Sequence, residues 1–264
     1  MSARSTLQRS RPVALGVAGV LTFLVIWELA SRLGWVNGRY VPPASETLAS
    51  LGRFLLDLHF WRLVGDTMLT WLIGMTVATV FGIVLGTVIG LSPFLRRYTR
   101  TTIEFLRPIP SVAIIPVAVV LLGPDRDSSL VIVIFATFWQ IFIQVLYGVA
   151  DVDPVALDTQ RSFGISPFQR FRHLVFPTAL PYLMTGIRLG ATVAMILTVT
   201  GELLIGAKGI GRLLVERSTV GDYAGTYAVV VTAGLLALGI NLIVRLVERR
   251  VLAWHQSVRG EVLV

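Results

Sequence analysis

Apolar residues in this chain come in long runs, each near the length of a membrane crossing, separated by shorter segments that carry most of the arginines. Six runs stand out, over residues 13–31, 63–91, 101–122, 129–150, 180–205 and 223–247. About 20 apolar residues in a helix cross the ~30 Å of bilayer hydrocarbon, where only helices and closed barrels satisfy their own backbone. Hydrophobic residues make up 55% of the 264 and charged residues 14%, with a mean hydropathy of +0.77. A water-soluble domain of that composition would leave too much apolar surface uncovered. The expected fold class is therefore an all-α membrane protein of about six transmembrane helices. Residues 1–62 should hold the first helix and an outward loop, 63–250 the main transmembrane domain, and 251–264 a tail.

The first run follows Arg4, Arg9 and Arg11, a pattern shared with signal peptides. Glu28 interrupts it and no small-x-small cleavage site follows, so an uncleaved signal-anchor helix is expected. An even number of spans puts both termini on one side. That side then holds Arg4, Arg9, Arg11, Arg96, Arg97, Arg100, Arg161, Arg170, Arg172, Arg249, Arg250 and Arg259, against eight basic residues opposite. Basic residues concentrate in short cytoplasmic loops, so both termini and the segment around residue 160 are expected in the cytoplasm.

Several chemistries are excluded at once. The chain has no cysteine, and His59, His173 and His255 lack any ligand spacing, so thiolate chemistry is absent and a histidine metal site is not expected. The net charge of +8 is spread over loops between spans, which fits membrane orientation better than nucleic acid. A P-loop needs a lysine after its second glycine, and Lys208, the one lysine, precedes Gly209 instead. Any ATP must be hydrolysed elsewhere, and no cofactor is expected in this chain. Paired catalytic acids or histidines, which a membrane-embedded lipid enzyme would need, are not visible.

Residues 151–177 are the main polar interruption. Asp153-Pro154 reads as an N-cap with proline at the first helical position, where its missing N–H costs nothing. Gly164 should end that helix in a left-handed conformation. Ser166-Pro167-Phe168-Gln169 should start another through a capping box. Two short helices bent at a glycine are expected on the membrane surface.

This segment resembles the EAA loop of permease subunits of bacterial ABC importers. In that loop Glu-Ala-Ala is followed by three residues, a glycine, nine residues and Ile-x-Leu-Pro. Here Gly164 is followed by nine residues and Leu174-Val175-Phe176-Pro177, with Asp158-Thr159-Gln160 in place of Glu-Ala-Ala. The sequence keeps the acid and loses both alanines. Residues 41–51 (VPPASETLASL), 107–123 (RPIPSVAIIPVAVVLLG) and 201–214 (GELLIGAKGIGRLL) are similar to segments of nitrate, sulfonate and taurine permeases. The resemblance implies an inner-membrane permease for a small anion, working as a pair, in a homodimer, with cytoplasmic ATPases that hold ATP and magnesium and with an extracytoplasmic binding protein. It implies an ATPase-coupling role for Asp158, Arg161, Phe163, Gly164, Phe168, Phe171 and Pro177. An ATP-independent six-helix carrier or channel is the alternative, and it leaves the capped glycine loop unexplained.

Within the spans, Gly74, Ala78, Gly82, Gly86 and Gly90 recur every fourth residue and mark one helix face for close packing. Thr137, Gln140, Gln144 and Tyr147 form a polar stripe on the fourth span. Thr185, Arg188, Thr192, Met195, Val199 and Glu202 form one on the fifth. Gln140, Gln144, Arg188 and Thr192 are the candidate pathway residues, with interhelical hydrogen bonding as the plainer role. Arg188 and Glu202 lie about 21 Å apart along a helix, so each needs its own partner. An ion pair between Glu104 and Arg107 is expected beside Pro108 and Pro110, whose break either lines a pathway or simply kinks the span.

Overall fold

The computed structural model describes residues 3–254, with side chains from Leu15 onward. Arg4, Arg9, Arg11 and Arg259, and the expected tail beyond Trp254, lie outside those described side chains. The helices are α1 (Ala3–Arg32), α2 (Ala44–Leu55), α3 (Leu58–Leu91), α4 (Pro93–Leu106), α5 (Ile115–Leu122), α6 (Arg126–Ala150), α7 (Pro154–Ser162), α8 (Pro167–Arg170), α9 (Phe176–Ile205), α10 (Ile210–Thr219) and α11 (Tyr223–Val251). A 3-10 turn, Ser111–Ile114, precedes α5, and a π-helical turn, Phe171–Val175, joins α8 to α9. No strand occurs among the described residues. The chain forms two compact units, one from residues up to Trp61 with Leu213–Thr232, the other from Arg62–Arg212 with residues from Ala233 on.

In the first unit, the segment before α2 is tied back to α1. Trp27 Nε1 donates to the Pro42 carbonyl at 3.0 Å and Ser31 Oγ to that of Val41 at 2.8 Å. Glu28, which in sequence only interrupts an apolar run, accepts from the Ser45 backbone N–H and hydroxyl, both at 2.9 Å, and from Arg32. Pro43 at the N-cap of α2 has no side-chain donor or acceptor to offer, so Glu28 caps that helix from another element. Trp27 packs on Tyr227 and Tyr40 on Tyr223, which brings the start of α11 into the same unit.

The second unit is organised around α6. Gly74, Gly82, Gly86 and Gly90 of α3 lie against Val133, Ile141, Val145 and Val149 of α6 in turn, and Ala78 between them is fully buried. A Cβ at Gly82, Gly86 or Gly90 would stand 2.9 Å from an α6 side chain, closer than real atoms pack. Both sequences rise in step, so α3 and α6 run parallel. The other face of α6 meets α9 head to tail, with Gly148 at Ala179, Gly186 at Gln144 and Gly190 at Thr137.

That parallel pairing fixes the path between α3 and α6. The chain leaves α3 at the end where α6 will finish, so residues 92–125 must carry it back across the membrane. The expected third span, 101–122, is broken, as its prolines imply. Residues up to Leu106 belong to α4, and Ser111–Leu122 leaves it at 81°. The break falls at Arg107–Pro110, where prolines remove backbone donors. Twelve helical residues reach only about 20 Å, so this crossing needs its flanking coils. Among the described residues, five helices are long and apolar enough to cross alone, and the bent pair makes the sixth candidate. The expected Glu104–Arg107 pair is also replaced. Glu104 binds Arg100 one turn earlier, at 2.8 Å, because helix α4 ends before Arg107.

The fifth span differs too. Instead of beginning at residue 180, it is continuous from Pro167 to Ile205, 39 residues through α8, the π turn and α9. Pro177 does not stop the helix. The Phe176 N–H donates to the Phe171 carbonyl five residues back, so the turn widens just ahead of the proline ring.

Candidate functional site

The polar segment behaves locally as its residues dictate. Asp153 accepts from the Val155 N–H at 2.8 Å and Pro154 opens α7. At the far end the Ile165 N–H reaches the Gln160 carbonyl and the Gly164 N–H reaches that of Arg161, both at 3.0 Å. This is a Schellman motif, and Gly164 sits in it at φ 70°. Ser166 and Gln169 then exchange both bonds of a capping box. Asp158 pairs with Arg161 at 2.9 Å on the exposed face of α7.

The second helix of the expected pair is not a free short helix. It is the first turn of the 39-residue span, so α8 runs directly into α9. Phe163 and Phe168, on either side of the glycine, are 80% and 71% exposed. Phe171 is half-buried and packs on Phe176, so it faces inward, unlike the other two. Pro177 lies at the π turn and, with Asp151, Tyr182 and Thr185, lines a cavity of about 550 Å³. Tyr182 donates to Asp151 across it at 2.9 Å. A second groove, about 450 Å³, runs from the end of α3 and Arg96 to Arg161 and Arg170 beside α7 and α8.

At the opposite end of α9 the arrangement is buried. Glu202 is 1% exposed, and its Oε2 accepts from Thr67 Oγ1 at 3.0 Å and from the Gly211 N–H at 2.9 Å. Thr67 in turn accepts from the Ile210 N–H at 3.0 Å. Gly209 has φ 155°, and a Cβ there would fall on the Glu202 carboxylate. Nearby, Arg126 of α6 pairs with Asp66 of α3. Thr67 carries no signal in sequence, since 135 residues separate it from Glu202.

The polar stripes meet along the α6–α9 contact. Gln140 and Gln144 are half-buried on α6, close to Gly186 of α9. Arg188 pairs with Glu248 of α11 at 3.4 Å and remains partly exposed, while Thr192 is exposed and bonds only its own helix, to the Arg188 carbonyl. Met195 and Glu202 are buried, so the α9 stripe is not a single accessible face.

Residues 78–253 match the model of the binding-protein-dependent transport system inner membrane component family. The chain belongs to that family. It is 28% identical over 262 residues to the taurine transport system permease protein of Escherichia coli, covering 95% of this chain and 93% of that one. It is 28% identical over 185 residues to the nitrate import permease protein of Synechocystis, covering 70% and 67% respectively. Its fold is shared with a chain of the MetNI methionine ABC transporter in an inward-facing conformation. There the TM-score is 0.63 at 20% identity, covering 73% of this chain and 96% of that one. The chain is thus an inner-membrane transport permease, a transporter component and not an enzyme.

Proposed function

We propose that this permease is the membrane subunit of an ATP-driven ABC importer for a small anion such as a sulfonate, taurine or nitrate. Two copies form the pathway, a binding protein delivers the solute, and ATP and magnesium sit on a separate cytoplasmic ATPase. The observation that carries this reading is the Asp153–Pro177 segment. Its Schellman glycine presents Phe163 and Phe168 to solvent, and its second helix is continuous with a membrane span. Exposed phenylalanines outside hydrocarbon call for a protein partner. A rigid continuous helix lets that partner move the membrane core.

The anionic class rests on relatives named for taurine and nitrate, which carry a sulfonate and a full negative charge. Arg188 supplies a matching cation. Its contact with Glu248 is long at 3.4 Å, and an entering anion competes for it. Gln140, Gln144 and Thr192 complete the polar lining. In this arrangement both termini and the hinged segment are cytoplasmic, and reporters fused at Val264 and Lys208 report opposite compartments.

Co-expression with a cognate ABC ATPase and an extracytoplasmic binding protein tests the reading. A stable complex whose uptake into vesicles requires ATP is expected. Solute flux through the purified chain alone, unchanged by the ATPase, would establish the carrier alternative instead.

A further inference from the structure

We infer that α4 and the groove beside it bind the headgroup of an anionic phospholipid at the membrane face that also carries the hinged segment. No residue of α4 is fully buried, and only its inner edge, Ile103 and Leu106, packs on the Trp139, Phe142 and Ile143 cluster. Phe94, Tyr98 and Phe105 fall on one side of its wheel and are about three-quarters exposed, at 74%, 76% and 72%. Arg96 and Arg100 fall on the other side, with Arg97 between the two faces. The 81° bend turns α4 away from the span that follows it. A basic amphipathic helix turned across a membrane protein lies in the interface, with its aromatic face among acyl chains. The face of the membrane is fixed by Gly90 against Val149 and by the bond from Arg96 to the Gly90 carbonyl.

On the arginine side lies a groove of about 560 Å³, rimmed by Arg96, Arg100 and Arg107 over a floor of Ile103, Ile143 and Leu146. Its one acid, Glu104, is matched by Arg100. Arg96 and Arg107 therefore leave surplus positive charge above an apolar floor. A phosphodiester with its acyl chains has the complementary form, since guanidinium forks take phosphate oxygens in pairs. A second copy of this chain would bring the same basic helix against it, and like charges would oppose that contact.

The test uses the purified full chain, with bound lipid counted by native mass spectrometry after exposure to phosphatidylglycerol or phosphatidylcholine. Selective retention of phosphatidylglycerol is expected, weakening as salt rises. Arg96→Gln, Arg100→Gln and Arg107→Gln combined should weaken retention about 100-fold, at about fivefold per arginine. Arg107→Gln alone should cost about fivefold, and keeps the test decisive if the triple variant does not fold. Arg39→Gln, an equal charge change that is no part of α4 or its groove, should change nothing. Equal retention of phosphatidylcholine, or undiminished retention by the arginine variants, overturns the proposal. So does displacement of the lipid by inorganic phosphate alone, which would make the groove a plain anion site. Loss of a two-copy assembly on triple substitution, with lipid unchanged, would show that a second copy covers α4 and would likewise overturn it.

Discussion

The two ends of α9 are held in opposite ways. Ahead of the helix that leads into one end, Gly164 is exposed, nothing lies within 4 Å of where its Cβ would be, and every bond of the hinge joins residues at most five apart. At the other, Glu202 is sealed in, and its bonds reach Thr67 on α3 and Gly211 beyond the next turn. One end is a conformational stop written in local chemistry and open to a partner. The other is a long-range tie that fixes the helix to its neighbours. The exposed hinge leads into a helix that is packed on α6 from Ala179 onward and tied at its far end, which is the form the proposed coupling requires.

The comparison is broken most severely at the tied end. Gly209→Ala places a methyl on the Glu202 carboxylate and forces a residue with a Cβ toward φ 155°. Strain of ~1–3 kcal/mol adds to the similar cost of a displaced buried hydrogen bond, so a loss of about 3 kcal/mol or more is expected. Thermal unfolding in detergent measures it, and an unchanged midpoint would mean that the knot does not anchor α9. Next comes the α3–α6 seam. Gly86→Val must displace Val145 and the Phe142 carbonyl, and overpacking of this kind costs ~1–3 kcal/mol. The same unfolding measurement applies, and wild-type stability would mean that the glycine face does not set the helix separation.

At the free end Gly164→Val meets no clash, only the left-handed conformation, at ~1–2 kcal/mol. Insertion and folding should survive. The angle between α7 and α8 should not, and with it goes the placement of Phe163 and Phe168. ATPase stimulation and coupled uptake should fall while the unfolding midpoint shifts little. Full coupling in this variant removes Gly164 as the hinge.

The same contrast explains what could be read from the chain. The caps at Asp153 and Ser166 and the stop at Gly164 depend on neighbours within five residues, and the α3 glycines on a period of four, so both were legible. Glu28 and Glu202 were visible only as acids within apolar runs, because their partners Ser45 and Thr67 lie 17 and 135 residues away. The prolines were legible in one place and not in the other. Around Pro108 and Pro110 the expected break is present, and it turns the chain by 81°. At Pro177 the apolar pattern starts the fifth span only at residue 180, and a π turn carries the helix through from Pro167. Whether a proline breaks or bends a helix depends on what the surroundings offer the freed carbonyls, which single residues do not encode.

The smallest structural effect is expected at Asp158, and that makes it the cleanest probe of a partner. Its carboxylate touches only Arg161, one turn along α7, and the two side chains are 70% and 58% exposed. An exposed pair of this kind is worth ~0–1 kcal/mol. Asp158→Ala should therefore leave the unfolding midpoint within error and disturb no contact inside the permease. If an ATPase surface takes this acid, as its place in the loop proposes, the variant should bind that subunit several-fold more weakly. Asp158→Glu, which keeps the charge, should recover most of the binding. Weak binding in both variants would assign the effect to the geometry of α7, and normal binding in both would leave Asp158 outside the contact, with Phe163 and Phe168 carrying it.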